Sequence, residues 1–249
     1  MYENNDFVDK KLRLLLDDAV FFLEEASECQ PEESDNANIK YRKLLRESAF
    51  TRTSVLNSAL LLESAANCCI ATLDISKALL SDIDKLRVIN KFEYYLEHIN
   101  KDKKIDRGLG ITQQVTELVS IRNSIVHPKP YKSEWVKIDD KTKKVDLGET
   151  QFLKLPNSFW MCKYHHAESA LKASLNFLSY YFCDLCQYRE HEVWKIIFGS
   201  NDGQDPQKWI GVNEKYGFNV SFLVNVQAVK EGEARFEEHL KTEAMKNNS

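Results

Sequence analysis

The sequence predicts a mainly α-helical protein: an antiparallel helical bundle with a small β-hairpin inserted in it and a short α/β tail behind it. Three observations carry that prediction. The 249 residues include 8 Gly and 5 Pro, too few to make the many tight turns of an all-β fold. Apolar residues recur at helical spacing over several long stretches. Alternation of the strand type is confined to short runs, one group after residue 133 and one in the tail.

Residues 6–28 read as an amphipathic helix, with Phe7, Leu12, Leu15, Leu16, Val20, Phe21 and Leu23 on one side. The acidic, polar run 29–38 reads as a loop, so residues 1–38 form an N-terminal helix and loop ahead of the main domain. A long helix is predicted over 39–73. Between 59 and 73 it is apolar nearly all round, the mark of a helix buried in a core. Residues 77–100 predict a third helix, 101–107 a polar basic loop, and 110–126 a fourth helix. Pro128 and Pro130 then stop helical geometry. Residues 135–138, 145–147 and 151–155 are β-like, and the charged run 139–144 fits a hairpin tip, so 133–155 is read as a hairpin insertion. Helical spacing resumes over 157–186, through Trp160, Tyr164, Ala167, Leu171, Leu175, Leu178 and Phe182, and a short helix follows at 190–198. The main domain is thus 39–198. Residues 199–249 form an extension with a strand-like segment at 217–228 and a charged helix from about 231.

Composition excludes several functions. Hydrophobic residues are 43% and charged residues 29%, as in ordinary globular proteins. The net charge of −4 argues against broad, non-specific nucleic-acid binding, although a local basic site is compatible with it. No signal peptide is apparent, because the first apolar stretch carries Asp17 and Asp18 in its middle. Glu63 and Asn67 interrupt the longest apolar run before it reaches the roughly 20 residues of a membrane span. A cytoplasmic protein without a membrane partner is the expectation. In that setting the six cysteines are expected to be reduced thiols.

Cys183 and Cys186 make a Cys-x-x-Cys pair followed by His191, with Cys162, His165 and His166 upstream. As a zinc site the spacing fails, since Cys162 and Cys183 on one straight helix would be about 30 Å apart. No metal site and no cofactor are predicted. There is also no phosphate-binding loop and no Gly-x-Gly-x-x-Gly.

The segment with chemical content is the end of the 110–126 helix. On a wheel of about 100° per residue, Ile111, Val115, Leu118 and Ile125 share an apolar arc, with Val119 and Val126 beside it. Thr112, Gln113, Thr116, Glu117, Ser120 and Ser124 take the other side. Arg122 falls in the middle of the apolar arc, where a guanidinium needs a partner, a cleft or a bound anion. His127 precedes Pro128, which pushes it out of α geometry and puts it at the helix C-terminus, where exposed carbonyls favour imidazolium. Asn123 lies one turn before His127. A cation, an amide and a histidine therefore gather at one helix end, each a group that phosphodiester chemistry uses. The plainer alternative is an ordinary helix end with a structural Arg. Glu63, the only charge in the buried 59–73 stretch, is the candidate partner for Arg122, as a buried ion pair or in a supporting role at the site.

The run RNSIVH at 122–127 resembles the Arg-x(4–6)-His signature of HEPN domains, in the form with Asn after Arg. The resemblance covers roughly residues 40–190, and only residues 122–127 are motif-grade. It implies a bundle of four or five helices, often dimeric. It further implies a metal-independent ribonuclease in a defence or toxin–antitoxin role, or else a non-catalytic module that binds RNA, nucleotides or protein. Some family toxins carry a tyrosine two residues after the His, where a partner nucleotidyltransferase modifies it; Lys129 stands there in this chain.

Metal-free RNA cleavage needs a base for the 2′-hydroxyl, an acid for the 5′-oxygen and positive charge at the phosphorus. One His127 fills one proton-transfer role at a time. A homodimer that apposes two copies of His127 and Arg122 in a composite site is therefore expected. Asn123 would orient the His or the phosphate, and Lys129 and Lys132 would meet the RNA backbone. RNA and a cognate antitoxin protein are the expected partners.

Overall fold

The computed structural model describes residues 11–128, 134–137, 143–146, 148–199, 205–232 and 235. Helix α1 spans Leu12–Glu28, and its apolar stripe of Leu12, Leu16, Ala19, Val20 and Leu23 is buried against α2, Ala37–Ile70. The Asn36 side chain starts α2 by accepting the Ile39 N–H at 3.0 Å, which satisfies one of the unpaired amides of the first turn. The two helices are antiparallel: Ser54 donates to the Ala19 carbonyl at 2.8 Å, and Phe50 stacks on Phe22. Small residues at the crossing let the backbones come this close.

Helix α3 is short, Lys77–Ile83, and α4 runs Val88–Ile99. Helix α5 is Gly110–Val126, the span its periodicity predicts. An antiparallel pair, β1 (Glu134–Lys137) and β2 (Lys143–Asp146), follows, with Trp135 opposite Val145. Helix α6, Tyr164–Ser179, packs on α2 and α5, and α7 spans Glu190–Ile197. Ser174 donates to the Ser58 carbonyl and the Glu47 side chain accepts the Tyr164 N–H, so α6 runs parallel to α2. The bundle is therefore antiparallel between α1 and α2 but not throughout. One core joins all these helices. At its centre Phe92, Phe177 and Tyr181 pack ring to ring, and the Tyr181 hydroxyl donates to the Phe92 carbonyl at 2.8 Å.

Five features differ from the sequence reading. The helix expected over 77–100 is two helices, because the chain turns at residues 84–87 and Arg87 is extended ahead of α4. Apolar spacing runs through the break since Ile83, Val88 and Ile89 all reach the core. The β-like run 151–155 is a tight turn, with Lys154 at φ 57° and one bridge from Glu149 to Pro156. The Glu117 carboxylate holds that turn by accepting the N–H groups of Gln151, Phe152 and Leu153. The helix expected from 157 starts at Tyr164 after a 3-10 turn at Phe159–Met161, and ends in one π turn at Tyr180–Leu185.

In the tail, the strand expected at 217–228 is irregular chain followed by a helical turn at 226–232. Phe218, Val220, Phe222 and Val224 alternate as a strand would, but they alternate in order to plug the bundle, where all four are buried. Ahead of them lies helix α8, Pro206–Tyr216, which the periodicity did not announce. Its ends were nonetheless written in the sequence. Asp205 caps it by accepting the Lys208 N–H, Pro206 opens it, and Gly217 at φ 64° closes it.

All six cysteines are free thiols. Among the described residues no helix is long and apolar enough to cross a membrane. Nor does any set of three or more His, Cys, Asp and Glu side chains there come together as metal ligands.

A candidate site at the end of α5

Helix α5 lies against α2 and α6 through Val115, Leu118 and Ile121, and the same packing decides where Arg122 goes. Its aliphatic stem is enclosed, with only 15% of the side chain exposed, and its guanidinium reaches Glu63 on α2. The two form an ion pair through Nη2 and Oε2. Glu63 itself is 34% exposed, so the pair sits at the edge of the core with one side toward solvent. Nη1 of Arg122 donates to the Asn123 side-chain oxygen at 2.9 Å, while its Nε is buried with no hydrogen-bond partner among the described residues. A guanidinium fixed on two sides, with its Nε–H unbonded, is a held cation rather than a mobile one.

The Asn123 side chain thus meets Arg122, and its link to His127 is through the backbone. The His127 N–H closes the helix by donating to the Asn123 carbonyl at 2.9 Å. At φ −121° and ψ 67°, His127 has left helical geometry, as expected of a residue before proline. Its ring is exposed and makes no hydrogen bond or ion pair among the described residues. Lys129 and Lys132, the expected backbone contacts, lie outside the described residues.

Arg122, Asn123 and Glu63 line one end of a groove of about 610 Å³ between α5 and the chain that joins α3 to α4. His127 is not among its lining residues. One wall is the polar side of α5, Gln113, Thr116, Ser120 and Asn123, spaced three or four apart. The opposite wall carries Lys85, Leu86 and Arg87, and Val88, Ile89 and Val119 supply apolar surface. Arg107 stands toward the other end, held by Glu93 through Nε at 2.7 Å and by Asn90 through Nη2 at 3.0 Å. Its bond to Glu93 keeps the guanidinium charged, with its pKa raised further.

Sequence reasoning missed Lys85, Arg87 and Arg107 as members of this site. Residues 101–107, a polar basic loop in sequence, precede the 110–126 helix and lie at its other end from Arg122. The groove runs the length of the helix, however, so both ends face one channel. The break at residues 84–87, which apolar periodicity concealed, is what brings Arg87 to the opposite wall. The alternation of Gln113, Thr116, Ser120 and Asn123 was the available signal: a polar stripe along an otherwise well-packed helix.

Comparison of the chain with known protein families, with curated proteins and with solved structures returned no match.

Proposed function

We propose that this chain is a HEPN-like, metal-independent endoribonuclease whose active centre forms when two copies bring their α5 ends together. The observation that carries the reading is the contrast on the last turn of α5. Arg122 is anchored by Glu63 and Asn123, while the His127 ring five residues on is exposed and has no partner among the described residues. A fixed cation suits charge that develops on a phosphoryl oxygen, because it needs no reorganisation when the reaction occurs. An exposed imidazole is placed to reach a substrate oxygen and pass a proton.

In this scheme one His127 removes the 2′-hydroxyl proton and the 2′-oxygen forms its bond to phosphorus. The P–O5′ bond breaks, and the 5′-oxygen takes its proton from the protonated His127 of the second copy. The products are a 2′,3′-cyclic phosphate and a 5′-hydroxyl, and the two histidines end with their protonation states exchanged. A defence or toxin role, held in check by an antitoxin protein, is the setting that goes with such an activity.

A second reading rests on the same ion pair. Arg122 bound to Glu63 is also what a structural ion pair at the rim of a core looks like, and that favours a non-catalytic RNA- or nucleotide-binding module. One experiment separates the two: cleavage of single-stranded and structured RNA in EDTA by the wild type, His127→Ala and Arg122→Ala, with circular dichroism on each. Cleavage that His127→Ala abolishes at unchanged helicity supports the nuclease. A folded wild type that leaves every RNA intact refutes it in favour of the binding module.

A further inference from the structure

We infer that the groove along α5 is a binding track for the phosphates of single-stranded RNA, with Arg87 as its principal distal anchor. The inference rests on the ribonuclease reading for what happens at the Arg122 end; the binding itself stands on the groove.

Four of the groove's lining side chains are cations, Lys85, Arg87, Arg107 and Arg122, against one carboxylate, Glu63. With the carboxylates that pair with them, Asp82, Glu93 and Glu63, counted in, one positive charge is left over, in a chain of net charge −4. The cations are not equivalent. Arg122 is committed to Glu63, Arg107 to Glu93 and Lys85 to Asp82. Arg87 is exposed and makes no ion pair among the described residues. A cation with no partner, on the wall of a groove that ends at a second, anchored cation, is placed for an anion that the protein itself does not supply.

The shape favours a strand over a small anion. The α5 wall from Gln113 to Asn123 is about 15 Å long at 1.5 Å per residue. That is room for about four phosphates of a stacked strand at about 3.4 Å each. Along this wall Gln113, Thr116, Ser120 and Asn123 offer amide and hydroxyl groups, which suit sugar and phosphate oxygens. Leu86, which is exposed, and part-buried Val119 offer an apolar surface to bases turned inward.

The test is fluorescence anisotropy of the full chain with an eight-nucleotide 2′-O-methyl RNA, which lacks the attacking hydroxyl and so reports binding apart from cleavage. Arg87→Glu is compared with Arg42→Glu, an exposed cation on α2 outside the groove. Both positions are solvent-exposed, so neither change threatens the fold. The expected result is a loss of tenfold or more for Arg87→Glu and less than twofold for Arg42→Glu. The salt dependence of binding should also become shallower by about one charge for Arg87→Gln. Equal losses for the two reversals, or none, would overturn the track. So would competition by AMP at the oligonucleotide's own concentration, which would make the groove a mononucleotide pocket. Tight, Arg87-dependent binding together with native RNA left uncut would uphold the track while sinking the nuclease.

Discussion

At the scale of single residues, the ion pair between Arg122 and Glu63 makes opposite demands on two substitutions. Removing the cation leaves a one-third-exposed carboxylate against the core and a hole where the Arg122 stem packed. Arg122→Ala is therefore expected to cost about 2–3 kcal/mol, read as a lowered urea midpoint. Glu63→Gln keeps the shape and an acceptor for the guanidinium, and should cost about 1 kcal/mol or less. If Arg122→Ala proves neutral, the pair does not hold the helix, and its anchoring of the cation needs another explanation.

His166 offers a pH-dependent counterpart far from that pair. Its Nδ1 accepts the Lys163 N–H at 2.8 Å at the start of α6, and the His165 ring lies tilted against it, 4.0 Å away. Burial first, then the neighbouring His165 and Lys163, push its pKa down from 6.5 to about 4. The unfolded chain therefore binds this proton more readily than the folded one. The neutral ring stabilises the fold above about pH 6.5, and that contribution is lost as pH falls toward 4. Because the ring is part-exposed, the effect is discounted to about 1 kcal/mol. His166→Gln, which retains an acceptor for the capping bond, should flatten the wild type's loss of melting temperature between pH 6.5 and 4. An unchanged slope would mean that other groups drive it.

At the scale of elements, what could be read in the sequence divides along a physical line. Helix α5 was legible to the residue because its apolar stripe, its start at Gly110 and its stop at Pro128 agree. The hairpin strands were legible from alternation around a charged tip. Elements whose apolar spacing is set by the core rather than by local geometry were not. Phe218, Val220, Phe222 and Val224 are buried as plugs and mimic a strand, while α3 and α4 share one core and mimic a single helix. The turn at 148–156 belongs to the same class, since a side chain 34 residues earlier defines it. Glu117 gathers three of its amides, with Gln151 bound at 2.8 Å. Glu117→Ala would leave those amides to water. The expected outcome is faster hydrogen exchange at residues 151–153 and a loss of about 1–3 kcal/mol in stability. Glu117→Gln should recover only part, because an amide oxygen accepts fewer and weaker bonds than a carboxylate. Protection at 151–153 that survives Glu117→Ala would show that Leu153 and Leu155, both buried, hold the turn by themselves.

At the scale of the whole molecule, the proposed two-histidine centre makes a geometric demand on a second chain. The groove gathers Arg122, Asn123 and Glu63, yet His127 stands outside it, and the described residues bring no second proton donor or acceptor to the ring. A twofold axis near the helix end would give His127 a partner of its own kind without refolding α5. Val126, beside His127, is 53% exposed. Closing such an interface would cover it. A composite site obeys mass action: cleavage per chain should be constant while the dimer is full and fall steeply on dilution below its dissociation constant. Sedimentation equilibrium and RNA cleavage over the same concentration series are expected to share one midpoint. Val126→Glu, which puts a charge into that contact, should move both midpoints upward together by tenfold or more while melting of the isolated chain is unchanged. Cleavage per chain that stays constant into the monomer range would place both proton transfers in a single chain, and would exclude the second His127 as a participant.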